Sequence, residues 1–360
     1  MASDPGFRTL SGLHSAAERA LPASVRAYVD GGAGEERTLR ANRRAFEDRR
    51  LLPRALVNVE RIETRTHFLG EEQGVPFFIA PTAYQALVHP EGESGMARAA
   101  AAEGVLYTAS TMSNQSMESV AKAAPGAPRW FQLYVQPDPA RTSSLVERAR
   151  AAGYRALVLT VDAPILGDRD RQEEAGFTLD PAMPLGNLDR ESYAEGTDPL
   201  PQKSYARGRI SADFVWESLE RLCRSAGLPV LVKGVISPED ARRALASGAR
   251  GLVVSNHGGR QLDGAPATLE ALPGVVQAVG DRGEVYLDGG VRRGADILVA
   301  LALGAKGVGL GRPSLWALAA GGEAGVRRWL ALLREELRTA MALTGCRAIP
   351  EVQRDILFPG

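Results

Sequence analysis

The feature that most constrains this chain is a rhythm that begins near residue 75. Eight short apolar runs recur: PFFIA (76–80), VLYTA (105–109), WFQLYV (130–135), ALVLTVD (156–162), PVLVKG (229–234), GLVVSN (251–256), EVYLDGG (284–290) and GVGLGRP (307–313). Between them lie longer segments such as SSLVERARAAGY and SPEDARRALASGA, with helical spacing and a glycine near the stop. Ser237-Pro238-Glu239-Asp240 shows the start signal openly: a capping residue, proline in the first turn, then acids. Buried strands interleaved with helices predict a parallel sheet, and eight units predict a closed (β/α)8 TIM barrel. The span 75–315 suits that fold's usual length of about 250 residues. An open doubly wound sheet is the rival, but its first strand should lead into G-x-G-x-x-G, and IAPTAYQAL is no such turn.

The chain reads as a single domain of 1–360, with 1–74 a helical lead-in and 316–360 C-terminal helices. Roughly 166–212 is a Gly/Pro/charge-rich connection between the fourth and fifth runs, a length that usually marks a lid or mobile loop. With 43 basic and 43 acidic side chains, there is no electrostatic footprint for nucleic acid or an anionic membrane. No apolar run reaches the roughly 18 residues a spanning helix needs. The N-terminus lacks a signal-peptide core, and the two cysteines, Cys223 and Cys346, read as reduced thiols. A cytoplasmic protein without a metal site is expected.

In a barrel, reacting groups collect where strands end. The first run ends in Pro81-Thr82-Ala83, the second at Ser110, and the third offers Gln132 and Tyr134. The fourth offers Thr160 and Asp162, the fifth Lys233, and the sixth His257 and Arg260 within SNHGGRQLD. The seventh ends in Asp288-Gly289-Gly290-Val291-Arg292 and the eighth in Gly311-Arg312. DGG and GRP are ordinary turn signals taken singly. Gly and Arg together in both of the last two loops point to phosphate, bound by backbone N–H groups and guanidinium.

The set resembles the FMN-dependent 2-hydroxy acid oxidases and dehydrogenases, a family that includes glycolate oxidase, lactate oxidase and mandelate dehydrogenase. The carriers are SNHGGRQLD (255–263), LVKGV (231–235), LDGGVRRG (287–294), LGRP (310–313), FQLYV (131–135), LTVDAP (159–164) and PTAYQALVHPEGE (81–93). The similarity runs from about 15 to 347, and soluble bacterial oxidases such as 4-hydroxymandelate oxidase look most similar. It implies FMN as cofactor and His257 as the base that takes a proton from substrate, with Asp162 stabilising the protonated imidazole. Arg260 would clamp the substrate carboxylate, aided by Tyr28 and Arg169, and Tyr134 would place its hydroxyl near the substrate oxygen. Tyr28 could equally be packing, and Asp168 and Asp170 could draw Arg169 into a surface ion pair.

The resemblance also implies that Lys233 lies beside the flavin N1 and C2 carbonyl, where reduction places negative charge. Thr82, Ala83, Ser110, Gln132, Thr160 and Ser255 would surround the ring. Asp288, Gly289, Gly290, Arg292, Gly311 and Arg312 would hold the ribityl chain and phosphate. Many members carry tryptophan where this chain has Met112, so the substrate pocket is expected to be roomier, unless Met112 only packs under the lid. The implied reaction oxidises an (S)-2-hydroxy acid with O2 to a 2-oxo acid and hydrogen peroxide, in a homotetramer or octamer. Three alternatives stay open: a dehydrogenase using a quinone or protein acceptor, a non-redox phosphate-binding barrel, and a flavin-binding isomerase. Against membrane docking, the connection FTLDPAMPLGNLDRESYAEGTDPLPQKSYARGRI is too polar. Ala83 leans to oxidases.

Overall fold

The computed structural model describes residues 6–180, 182–188 and 210–359. Most of the connection singled out above, 189–209, therefore lies outside the described residues. A hairpin not legible in the sequence, β1 (Thr66–Phe68) paired antiparallel with β2 (Glu71–Gln73), precedes the barrel. The barrel strands are β3 (Phe77–Ile79), β4 (Leu106–Ser110), β5 (Arg129–Leu133), β6 (Ala156–Thr160), β7 (Val230–Val235), β8 (Gly251–Val254), β9 (Glu284–Leu287) and β10 (Gly307–Leu310). All neighbours pair in parallel and β10 closes onto β3. Each apolar run thus became one strand, because strands buried on both faces can be apolar throughout.

Side chains alternate across a strand, so residues two apart share a face. At the strand starts, Phe78, Leu106, Trp130, Val158, Leu231, Val253 and Tyr286 form one buried cluster with Phe68 from the hairpin. These rings pack edge-on or tilted, with Phe68 and Tyr286 centroids 5.1 Å apart and Phe78 and Trp130 5.2 Å apart. The cluster fills the bottom of the barrel. Trp130→Ala would leave a void there, and chemical denaturation should register a loss of about 3–5 kcal/mol.

Continuing the same parity upward gives Ser110, Gln132, Thr160, Lys233, Ser255 and Asp288. A period of two turns a greasy floor into a polar rim within one strand. The lead-in closes over that rim. It contains α1 (Leu10–Ala20), α2 (Ala23–Asp30) and α3 (Arg37–Glu47). Ala33 N donates to Gly259 O at 2.8 Å, and Asn42 and Asn256 exchange side-chain amide hydrogen bonds at 2.9 Å. Arg43 donates to Gly290 O and pairs with Asp296. The final helical stretch, Arg312–Leu343, starts directly after β10, runs across position 315 and breaks at Gly321–Gly322. No helix among the described residues is long and apolar enough to cross a membrane.

Candidate active site

A cleft enclosing about 1140 Å³, open mouth included, lies at the C-terminal ends of the strands. Its walls carry Thr82, Ala83, Ser110, Met112, Gln132, Tyr134, Thr160, Arg169, Lys233, His257, Arg260, Asp288, Gly289, Gly290, Arg292, Gly311 and Arg312, together with Tyr28 from α2. Of the residues expected from sequence, Asp162 and Ser255 stand one layer behind the wall. Asp162 Oδ1 meets His257 Nδ1 at 2.9 Å, and Ser255 Oγ accepts from Lys233 Nζ at 2.9 Å and from His257 N at 3.1 Å.

His257 sits in the left-handed region at φ 58, followed by Gly258 at 64 and Gly259 at 75. The glycines are required by crowding as well as by φ. A Cβ on Gly259 would lie 2.6 Å from Leu39 N, and one on Gly258 2.8 Å from Arg312 Nη1. The SNHGG stretch therefore folds into a tight turn that pushes the imidazole over the barrel mouth, in a conformation non-glycine residues seldom adopt. Burial and the ammonium of Lys233 press the imidazole toward its neutral form, while Asp162 works the other way; the net direction is below the usual histidine range. Burial opposes ionisation of Asp162, but His257 and Lys233 outweigh it and hold the carboxylate below its ordinary range. An ionised Asp162 accepting from Nδ1–H leaves Nε2 as the basic nitrogen.

Lys233 is fully enclosed, which alone would discharge it, yet Asp288 and Asp162 hold its pKa above the ordinary value. Its Nζ lies 3.4 Å from Asp288 Oδ2. Beside it runs a ladder across neighbouring strands: Ser110 Oγ donates to Gln132 Oε1 at 3.0 Å and Gln132 Nε2 to Thr160 Oγ1 at 3.0 Å. Register explains the first step, since Ser110 pairs with Gln132; Gln132 pairs with Val158, and its amide reaches Thr160, two residues further on the same face.

Three arginines bear on the site from the lead-in side. Arg260 Nη1 donates to Tyr28 O at 2.7 Å and Gly31 O at 2.8 Å, and its guanidinium stands 5.1 Å from the Tyr28 ring centre. Both Nη1 hydrogens are thereby used, and the Nε–Nη2 edge is left for a planar anion. Arg169 is buried nearby, and burial and the like charge of Arg260 push it down to about 9. Arg312 donates through Nε to Val29 O, Nη1 to Gly258 O and Nη2 to Gly31 O, at 3.0, 2.9 and 2.8 Å. Three of its five N–H groups are used, one remaining on each Nη. Burial, then Asp162, push the Tyr134 hydroxyl well above its usual range, so it stays a donor.

The sequence pattern of the FMN-dependent dehydrogenases matches residues 17–359. The chain belongs to that family. An L-lactate oxidase of Nostoc sp. is 47% identical over 92% of each chain. Glycolate oxidase of Spinacia oleracea is 46% identical over 94% of this chain and 92% of its own. Among solved structures, mandelate oxidase with (S)-4-hydroxymandelic acid superposes with a TM-score of 0.92 at 43% identity, covering 98% of both chains.

The residues of this FMN-dependent dehydrogenase suit its cofactor. Asp288 Oδ1 is buried without a hydrogen-bond partner, an acceptor facing a site that FMN's ribityl hydroxyls would satisfy. Gly289, Gly290 and Gly311 line the same end, and a Cβ at Gly311 would meet nothing within 4 Å. The cleft wall also includes Val29, Ala80, Tyr84, Leu166, Ile210, Gly258, Gly309 and Leu315, which sequence reasoning left unassigned. Tyr84 lies inside the quoted PTAYQAL stretch, but nothing in the sequence signals its φ of 56.

Proposed function

We propose that this FMN-dependent dehydrogenase is an oxidase of (S)-2-hydroxy acids with uncharged, apolar side chains larger than that of glycolate. The reaction converts the hydroxy acid and O2 to the 2-oxo acid and hydrogen peroxide. The observation that carries the reading is the pairing of a neutral, carboxylate-backed His257 with the buried Arg260, whose Nε–Nη2 edge is left for a planar anion, in one cleft. A non-redox phosphate barrel gives no reason for His257, Arg260 and Lys233 together, and an isomerase would not need a carboxylate clamp.

Bound FMN supplies the two-electron acceptor. Arg260, through its Nε–Nη2 edge, holds the substrate carboxylate with help from Arg169 and the Tyr28 hydroxyl. Tyr134 donates to the substrate's oxygen. His257 Nε2 takes the proton, and Asp162 stabilises the imidazolium that results. Lys233 keeps a fixed positive charge where electrons arrive, and Ser110, Gln132 and Thr160 orient the ring edge. Thr82 and Ala83 complete that wall and Ser255 supports Lys233 from behind it, while Asp288, Gly289, Gly290, Arg292, Gly311 and Arg312 would hold the ribityl chain and phosphate.

Met112, Leu166 and Ile210 share the cleft with the anion-binding cluster, and none can pair with a second charge on the substrate. A thioether and two aliphatic chains favour apolar substituents. Anaerobic bleaching of the flavin band by glycolate, L-lactate, longer 2-hydroxy acids and (S)-mandelate tests the class. Fast recovery in air with peroxide formed supports the oxidase; slow recovery favours a quinone or protein acceptor; no bleaching sinks the reading. Met112→Trp should cut kcat/KM for the longer acids about ten-fold or more while sparing glycolate, a steric cost of 1–3 kcal/mol. The same reading carries a cytoplasmic homotetramer or octamer, which sedimentation velocity tests for the assembly.

A further inference from the structure

Behind the anion-binding arginines, one carboxylate occupies a position that local physics disfavours. Asp30 is the last residue of α2, a helix with no basic residue in its last turn. A negative charge at a helix C-terminus opposes the macrodipole. Its side chain is only 11% exposed and is held from two directions. Oδ1 accepts from Trp316 Nε1 at 2.7 Å, and Oδ2 lies 3.0 Å from His14 Nε2. The His14 ring packs edge-on against Trp316 at 4.6 Å, and the Arg292 guanidinium lies 4.8 Å from the Trp316 ring centre.

What Asp30 anchors is a row of carbonyls. Tyr28 O and Gly31 O receive Arg260; Val29 O and Gly31 O receive Arg312. The Gly31 carbonyl is shared by both guanidiniums, so a shift of this segment moves both at once. Burial works against the charge on Arg260, Arg292 and Arg312, and Asp30 is among the carboxylates that offset it for all three.

We propose that Asp30 is a positioning residue: gripped by Trp316 and His14, it sets the 28–31 carbonyl row that aims Arg260 at the substrate carboxylate and Arg312 at the cofactor phosphate. The inference rests on the function proposed above for the identity of those ligands. Asp30 touches neither ligand and makes no contact with the His257–Asp162 pair, so removing it should impair binding more than turnover.

The test compares Asp30→Ala with Asp30→Asn, which keeps an oxygen for Trp316. FMN release from diluted holoenzyme is followed by flavin fluorescence, and KM and kcat are measured with L-lactate and (S)-mandelate. Asp30→Ala should release FMN about ten-fold more readily and raise KM several-fold at nearly unchanged kcat, while Asp30→Asn, which keeps the Trp316 hydrogen bond but not the charge, should recover most of each. Trp316→Phe, which removes the donor and leaves the carboxylate, should move both quantities in the same direction as Asp30→Ala. Wild-type FMN retention and KM in Asp30→Ala would overturn the proposal. So would equal impairment in Asp30→Asn, or a fall in kcat without change in KM. If neither acid reduces the wild-type flavin, the functional reading fails, and the FMN-release arm still decides the role of Asp30.

Discussion

His257→Gln should purify yellow and fail to bleach with any 2-hydroxy acid, its flavin reduction slowed at least about 10²–10⁴-fold, the range a positioned base contributes. Glutamine fills similar space and can still face Asp162, so cofactor binding should survive while proton abstraction does not. Stopped-flow reduction separates the two. The wild-type rate should also carry an acid limb. Net burial holds the imidazole below the usual histidine range, so the free base persists as pH falls through 6.5 and is lost only lower. A reduction rate that declines already above that value in free enzyme would contradict the assignment, as would turnover by the glutamine variant.

Arg260→Met should lower kcat/KM by about 10²–10⁴, since charge-assisted hydrogen bonds to a buried anion contribute roughly 1.5–3 kcal/mol each and two are lost. The deficit should fall mainly on KM. Part of it has another origin: Tyr28 O, which Arg260 satisfies at 2.7 Å, would lose that partner, and Gly31 O would keep only Arg312. Arg260→Lys should recover little, because an ammonium can serve the carbonyls or the substrate but lacks the planar fork for both. An equal loss for a neutral 2-hydroxy amide as for the acid would mean that the arginine acts on the fold and not on the carboxylate.

Much of this site can be read directly from the chain, for a reason visible at particular positions. Alternation along a strand carries Trp130 to Gln132 to Tyr134 up one face, and Leu231 to Lys233 likewise. Once eight strands are recognised, the polar residues that end them must converge. What alternation cannot report is contact between distant segments. The partnership of Asp162 with His257 was implied only by family resemblance, and that of Asp30 with Trp316 by nothing in the local pattern. Val29 reaches the cleft because the lead-in folds across it, a long-range fact without a local signal. The hairpin Thr66–Gln73 escaped because its strands are three residues each and mostly polar, too short for a period to register.

That hairpin has a kinetic corollary. With Phe68 and the rings around it corking one end of the barrel, the hydroxy acid, oxygen, the oxo acid and peroxide share the opposite entrance. Traffic through a shared doorway is mutually exclusive where a bulky occupant fills it. The departing oxo acid therefore delays the arrival of the next substrate, and a crowded solution of hydroxy acid can slow oxygen's access to reduced enzyme. Competition between product and substrate, and inhibition by excess substrate, would then be consequences of architecture rather than of any dedicated regulatory site.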